Sequence, residues 1–136
     1  MGFEEIAHTA DWALRVWADD LDGLFTEAAR GMNALSGAKQ AEGPQVKRTF
    51  TAEATDAESL LVTFLSELVY AAEQDQLTFT RFHVETFESS KMLNLRVEME
   101  GGKIAALDKS IKAVTYHNLQ IRQTGRGYEV EIVFDV

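Results

Sequence analysis

The sequence predicts an α+β domain, mainly antiparallel β-sheet with two α-helices, and three observations carry that prediction. Two stretches place apolar residues at helical spacing. The strand-like stretches are grouped, four of them in succession after the second helix, so they do not alternate with helices as in a doubly wound fold. The last nine residues alternate with a period of two, the mark of a strand with one buried face. At 136 residues the chain is expected to form a single compact domain over 1–136, burying roughly two-thirds of its unfolded surface.

Taken in order, Phe3–Ala7 and Trp12–Ala18 read as strands. The two tryptophans of the second lie an odd number of residues apart, which puts them on opposite faces. Leu21 to Leu35 reads as a helix, with Leu21, Leu24, Phe25, Ala28, Met32 and Leu35 on one side. Asp20 can cap its start and Gly37 can stop it. Ser36–Gln45 holds the only proline, Pro44, and reads as a loop. Val46–Ala54 is predicted as a strand. The second helix is predicted to open on a capping box of Thr55 and Glu58, to bury Leu61, Phe64, Leu65, Leu68 and Val69, and to end near Glu73.

Beyond it, Leu77–Phe87 and Lys91–Glu100 flank a Ser89-Ser90 turn. Leu93, Leu95, Val97 and Met99 alternate with Asn94, Arg96 and Glu98, so one face is expected to be wet. Gly101-Gly102 is read as the end of that strand and Lys103–Ser110 as a loop. Ile111–Gln123 and Tyr128–Val136 are predicted to pair across Thr124-Gly125-Arg126-Gly127. In the final strand Tyr128, Val130, Ile132, Phe134 and Val136 share the core face. Glu129, Glu131, Val133 and Asp135 share the other.

Composition narrows the function classes. Hydrophobic residues make up 46% of the chain, which argues for a packed core. The formal net charge is −9, which disfavours direct binding of nucleic-acid phosphates and suits cations or a basic protein surface. There are no cysteines, so disulfides, thiolate nucleophiles and zinc–sulfur centres are excluded. The acidic N-terminus lacks the pattern of a signal peptide, and no stretch approaches the roughly 20 apolar residues of a membrane helix. A cytoplasmic protein without membrane contact is expected. No Walker or dinucleotide fingerprint is present, and Gly125-Arg126-Gly127 is explained as turn chemistry. Lys112, Arg122 and Arg126 are too few for a nucleic-acid footprint.

The residues best suited to chemistry are acids near the two ends. Asp135 lies opposite the core face, next to the terminal carboxylate of Val136, and two hard oxygen donors so placed form half of a cation site. Asp11, in the polar interruption His8-Thr9-Ala10-Asp11, could supply the other half if the first and last strands lie side by side. Such carboxylates would repel one another unless a cation neutralised them. Oxygen donors alone favour calcium, magnesium or manganese over zinc or copper. Each acid also has a plain reading, Asp11 as a turn residue bonding its own backbone and Asp135 as an exposed acid on a polar face. Asp19, Asp20 and Asp22 are read as a helix N-terminus, where the dipole favours negative charge. His8, His83 and His117 form no recognisable ligand set. His8 could orient Asp11, and His117 reads as a hydrogen-bonded strand-end residue.

The strings HTAD before a tryptophan-containing strand, KAVTYH, and a chain ending in FDV together resemble the archease family, in the same order and over essentially the whole chain. The resemblance implies a divalent metal, calcium in the first place with magnesium or manganese as alternatives, held by Asp11, Asp135 and Val136. It also implies a partner, the RtcB-type RNA-splicing ligase, which joins tRNA halves and other RNA ends. RNA would then be engaged only indirectly, through the ligase. In that family the activator promotes guanylylation of the ligase and its multiple turnover, and has no catalytic centre of its own. The chain departs from the family pattern mainly at Gly101–Ser110, which reads as a short loop without aromatic or acidic character. Two readings from other classes stand beside this one. A general chaperone or assembly module would need no metal. A metal-dependent hydrolase would use the same acids, but no general base or nucleophile accompanies them.

Overall fold

The computed structural model describes residues 1–6 and 12–136. Its elements run β1 (Gly2–Ile6), β2 (Trp12–Ala18), α1 (Leu21–Ser36), β3 (Lys39–Gln40), β4 (Val46–Ala54), α2 (Ala57–Asp75), β5 (Leu77–Ser89), β6 (Met92–Ala106), β7 (Ala113–Val114), β8 (Arg122–Thr124) and β9 (Gly127–Asp135). The fold class is as the sequence predicts. Every ladder among the described residues is antiparallel.

Two sheets form. In the first the order is β1-β2-β9-β7, with β8 also beside β9. In the second, β6 is central and pairs with β4, β5 and, at its C-terminal end, β3. Helix α1 packs on β1, β2 and β9 of the first sheet and on β5 of the second, while α2 packs on β4, β5, β6 and β7. Each helix therefore bridges the sheets. One buried cluster joins Leu14, Val16 and Ile132 of the first sheet, Leu95 and Val97 of the second, and Phe25 and Phe64 of the helices. Phe25 and Phe64 stack with ring centroids 6.2 Å apart, and Phe82 meets Phe64 edge-on.

The helix signals act largely as their chemistry requires. Asp20 caps α1 by accepting from the Gly23 N–H at 2.7 Å, and Gly37 ends it in the left-handed region at φ 66°. In α2 the cap is one residue later than predicted. Asp56, not Thr55, accepts from the Ser59 N–H at 2.7 Å. Glu58 does not reach back to close a capping box; its carboxylate accepts from the Ile121 N–H at 2.9 Å. The helix continues to Asp75, and Gln76 follows in the left-handed region at φ 55°.

Three strand assignments also differ. Lys39–Gln40, within the predicted loop, pairs with the end of β6. Strand β6 runs through Gly101-Gly102 to Ala106, where a stop was expected. These glycines mark a close approach and not a turn. The pairing shifts between Phe79 and Arg81, a bulge in β5, and a Cβ on Gly101 would lie 2.7 Å from the Phe79 Cα. Finally, Ile111–Gln123 is not one strand. Only Ala113–Val114 and Arg122–Thr124 pair with β9. Between them the chain leaves the sheet in a turn closed by the Leu119 N–H to Tyr116 O bond at 3.1 Å, with Asn118 at φ 50°.

Candidate metal-binding edge

The end of β9 and the start of β2 lie side by side. Trp12 is in register with Phe134 and Ala13 with Val133. Strand β7 flanks β9 on its other edge, placing Ala113 against Asp135. The Lys112 N–H donates to the Asp135 carbonyl at 2.8 Å, which fixes the last backbone unit of the strand. Thr115 secures the next turn by giving both its N–H (3.0 Å) and its hydroxyl (2.9 Å) to the Val133 carbonyl.

The alternation read from the sequence holds along β9. Val130, Ile132 and Phe134 are buried, and Tyr128 and Val136 pack on the core as partly buried residues. Asp135 is exposed on the opposite face. Val133, on that same face, is buried all the same, because His117, Asn118 and Leu119 stand over it around a shallow cavity. The His117 N–H donates to Thr115 Oγ1 at 3.3 Å, and its Nε2 lies 3.4 Å from the Asn118 amide nitrogen.

The predicted metal set therefore divides. Asp135 and Val136 are adjacent at this edge, Asp135 exposed and Val136 partly buried. The expectations for Asp11 and His8 lie outside the described residues. Trp12, the covalent neighbour of Asp11, stands across from Phe134, the covalent neighbour of Asp135. The chemistry of these donors fits a hard divalent cation, because the exposed Asp135 carboxylate offers oxygen and no sulfur is at hand. Among the described residues no group of three His, Cys, Asp or Glu side chains is placed to hold a metal ion.

Several residues that shape this edge carry no pattern in the sequence. Lys109 places its ammonium 4.2 Å from the centroid of the Trp12 ring, a cation–π contact. Trp17, on the other face of β2, is covered in the same way by Arg126 at 4.7 Å. Each indole is thus half-buried under a cation. On the outer face next to Trp17, Arg15 gathers Glu4 at 3.0 Å, Glu129 at 3.5 Å and Glu131 at 3.9 Å. The second sheet's wet face carries its own pairs, Lys47 with Glu100 and Arg96 with Glu98. Tyr116 and Leu107, close in sequence to the two segments that frame the edge, are exposed.

These features define a class: a two-sheet, two-helix α+β domain whose last strand ends beside its second strand with an exposed acid. The profile of the Archease protein family (MTH1598/TM1083) matches residues 3–136. The chain is 32% identical to the protein archease of Methanopyrus kandleri, with all of both chains covered, and 31% identical to that of Methanosarcina barkeri, with 98% of this chain and 95% of the relative covered. Among solved structures it resembles the solution structure of Methanobacterium thermoautotrophicum protein 1598 at TM-score 0.79 and 25% identity, covering 99% of each chain. It shares the fold of a Thermotoga maritima crystal structure described as "an archease, possible chaperone", at TM-score 0.67 and 21% identity, covering 98% and 96%. The chain belongs to the archease family. Among the described residues no helix is long and apolar enough to cross a membrane.

Proposed function

We propose that this chain is a non-catalytic activator of an RtcB-type RNA-splicing ligase, acting in the cytoplasm on the ligase and on RNA only through it. In this reading Asp11, Asp135 and Val136 hold a divalent cation, calcium first, with magnesium or manganese as alternatives. The observation that supports it is the register of Trp12 with Phe134, which brings the sequence neighbours of the two predicted acids together at one sheet edge. Membership of the archease family supports this choice of partner. A cation bound here would offset the charge of a triphosphate during nucleotidyl transfer on the ligase. This chain's part is to fix the donors: the Lys112 N–H and the double Thr115 bond hold the end of β9. The net charge of −9 suits docking on a basic, RNA-binding partner.

The test measures ligase guanylylation and multiple-turnover RNA joining with wild type, Asp11→Ala and Asp135→Ala, each shown folded by circular dichroism. Stimulation by wild type alone supports the reading. Equal stimulation by all three keeps the partner and removes the metal. A second reading, a general chaperone, is favoured by the description given to the Thermotoga maritima protein. It predicts protection of unrelated unfolding proteins that persists in chelator.

A further inference from the structure

A cavity of about 470 Å³ lies where the C-terminal end of α1, the face of α2, the start of β5 and the end of β6 meet. Leu68, Val69, Phe79, Ile104 and Ile111 give it apolar walls. This volume is in the range that holds a small organic ligand. The cavity is separate from the carboxylates of the sheet edge, although Lys112, whose N–H holds Asp135, forms part of its wall.

Thr78 is the informative residue. It is only 5% exposed, and among the described residues no hydrogen bond engages its hydroxyl. An orphaned hydroxyl sealed in an apolar interior is costly, yet among the described residues no buried side-chain polar atom is both sealed and unpartnered. Thr78 is one of the residues that line the cavity. Asn33 lines it too, and one N–H of its amide donates to the Phe79 carbonyl at 2.5 Å. What remains on Asn33 is its second N–H and the oxygen, which is an acceptor. The two charged lining residues, Glu73 and Lys112, are of opposite sign.

We propose that this cavity is a binding site for a neutral, apolar small molecule carrying one O–H or N–H donor. The body fills the aliphatic and aromatic walls. The donor bonds Asn33 Oδ1 or Thr78 Oγ1, and among the described residues that line the cavity Thr78 carries the one hydroxyl that is both nine-tenths buried and unpartnered. The cancelling charges of Glu73 and Lys112 disfavour a strongly charged ligand.

The experiment titrates the full chain with 2-naphthol by calorimetry, and with 2-methoxynaphthalene, which has the same rings and no donor. Saturable one-to-one binding of 2-naphthol is expected, about fivefold tighter than the methoxy compound, the worth of one hydrogen bond. Ala72→Phe, which fills the cavity, abolishes it. Ala38→Phe does the same from the other wall and serves if Ala72→Phe does not fold. Thr78→Val keeps the shape, folds at least as stably as wild type, and brings the two compounds closer in affinity. No saturable binding to wild type overturns the proposal, as does binding that survives both filling variants. Equal affinity of wild type for the two compounds overturns the donor assignment.

Discussion

Glu58 offers the sharpest test of how α2 and the C-terminal segment are joined. Its position three residues after Thr55 reads as half of a capping box, but its carboxylate instead accepts the Ile121 N–H at 2.9 Å across 63 residues of sequence. That bond ties the first turn of α2 to the segment that leaves the sheet after β7. Replacing Glu58 with alanine removes a charge-assisted hydrogen bond worth about 1.5–3 kcal/mol. It also removes an acid from the first helical turn, worth about 0.3–1 kcal/mol. Water can reach this partly buried site and recover some of both, so a net loss of about 2 kcal/mol is expected. Unfolding entropy scales at about 2.1 cal/mol/K per residue, so for this chain length the loss lowers Tm by about 7 °C. Glu58→Gln, which keeps an acceptor and loses the charge, should cost about half as much.

The assay is thermal unfolding combined with hydrogen exchange at the Ile121 amide. In wild type that amide should be protected well beyond its exposed neighbours; in Glu58→Ala it should exchange with them. A capping box predicts something else: Ile121 unaffected, and Thr55→Val as damaging as Glu58→Ala. Thr55→Val should in fact cost less than about 0.5 kcal/mol, because Thr55 caps nothing. Unchanged protection of Ile121 in Glu58→Ala would refute the tether.

Four further outcomes follow from the same geometry. Asp22 accepts both the Thr86 N–H (2.8 Å) and the Thr86 hydroxyl (2.6 Å), clasping β5 to the start of α1; Asp22→Ala should cost about 2–3 kcal/mol, and a double-mutant cycle with Thr86→Val should show coupling. Gln76 holds the left-handed C-cap of α2 at φ 55°, so Gln76→Gly should stabilise by up to about 1 kcal/mol in urea unfolding. Ser90 and Lys91 both have positive φ in the two-residue β5–β6 turn, and an Asn-Gly pair there should stabilise by about 1 kcal/mol. The Ser59 N–H, with the Ser59 hydroxyl behind it, holds the Asp56 carboxyl below its ordinary value. A depressed folded pKa contributes stability above the unfolded value, about 3.9, that is lost as pH falls through the lower folded value. The stability gap between wild type and Asp56→Asn, measured in urea, should therefore narrow from pH 5 toward pH 2; a gap constant over that range would refute the assignment.

Local chemistry explains which parts of this fold the sequence could disclose. The period-two pattern of β9 and the stripes of both helices report one residue's relation to its near neighbours, and all three survive folding as read. The Asp20 cap and the Gly37 stop do too, since each closes a bond within a few residues. What local chemistry cannot separate is two causes that leave the same mark. A Gly-Gly pair signals a turn or a close backbone approach, and at Gly101 only the bulge at Phe79 decides between them. An alternating run such as Ile111–Gln123 becomes a strand only where a partner edge is offered, and β9 offers its free edge at two places. Between them the chain turns at Asn118, a residue suited to the left-handed region, and is held away from the sheet by Glu58.

The candidate metal edge divides along the same line. That Asp135 would face away from the core follows from alternation alone, and it does. That β2 would be the neighbour of β9 does not, because strand order is settled by which faces the two helices cover. With α1 following β2 directly and packing on β1, β2 and β9 together, the first hairpin and the last strand share one helix as a cover. The cheapest way for three strands to do so is as adjacent members of one antiparallel sheet, with β2 in the middle. The sheet therefore places Trp12 opposite Phe134 for reasons of packing, whether or not a cation is bound. A cation would add to that arrangement without being needed to form it. Asp135→Ala should accordingly leave Tm within about 1 kcal/mol equivalent of wild type in the presence of chelator, while calcium raises the Tm of wild type alone. A large loss of stability in Asp135→Ala under chelator would mean that the carboxylate is structural, and would remove the physical basis for assigning it to a metal.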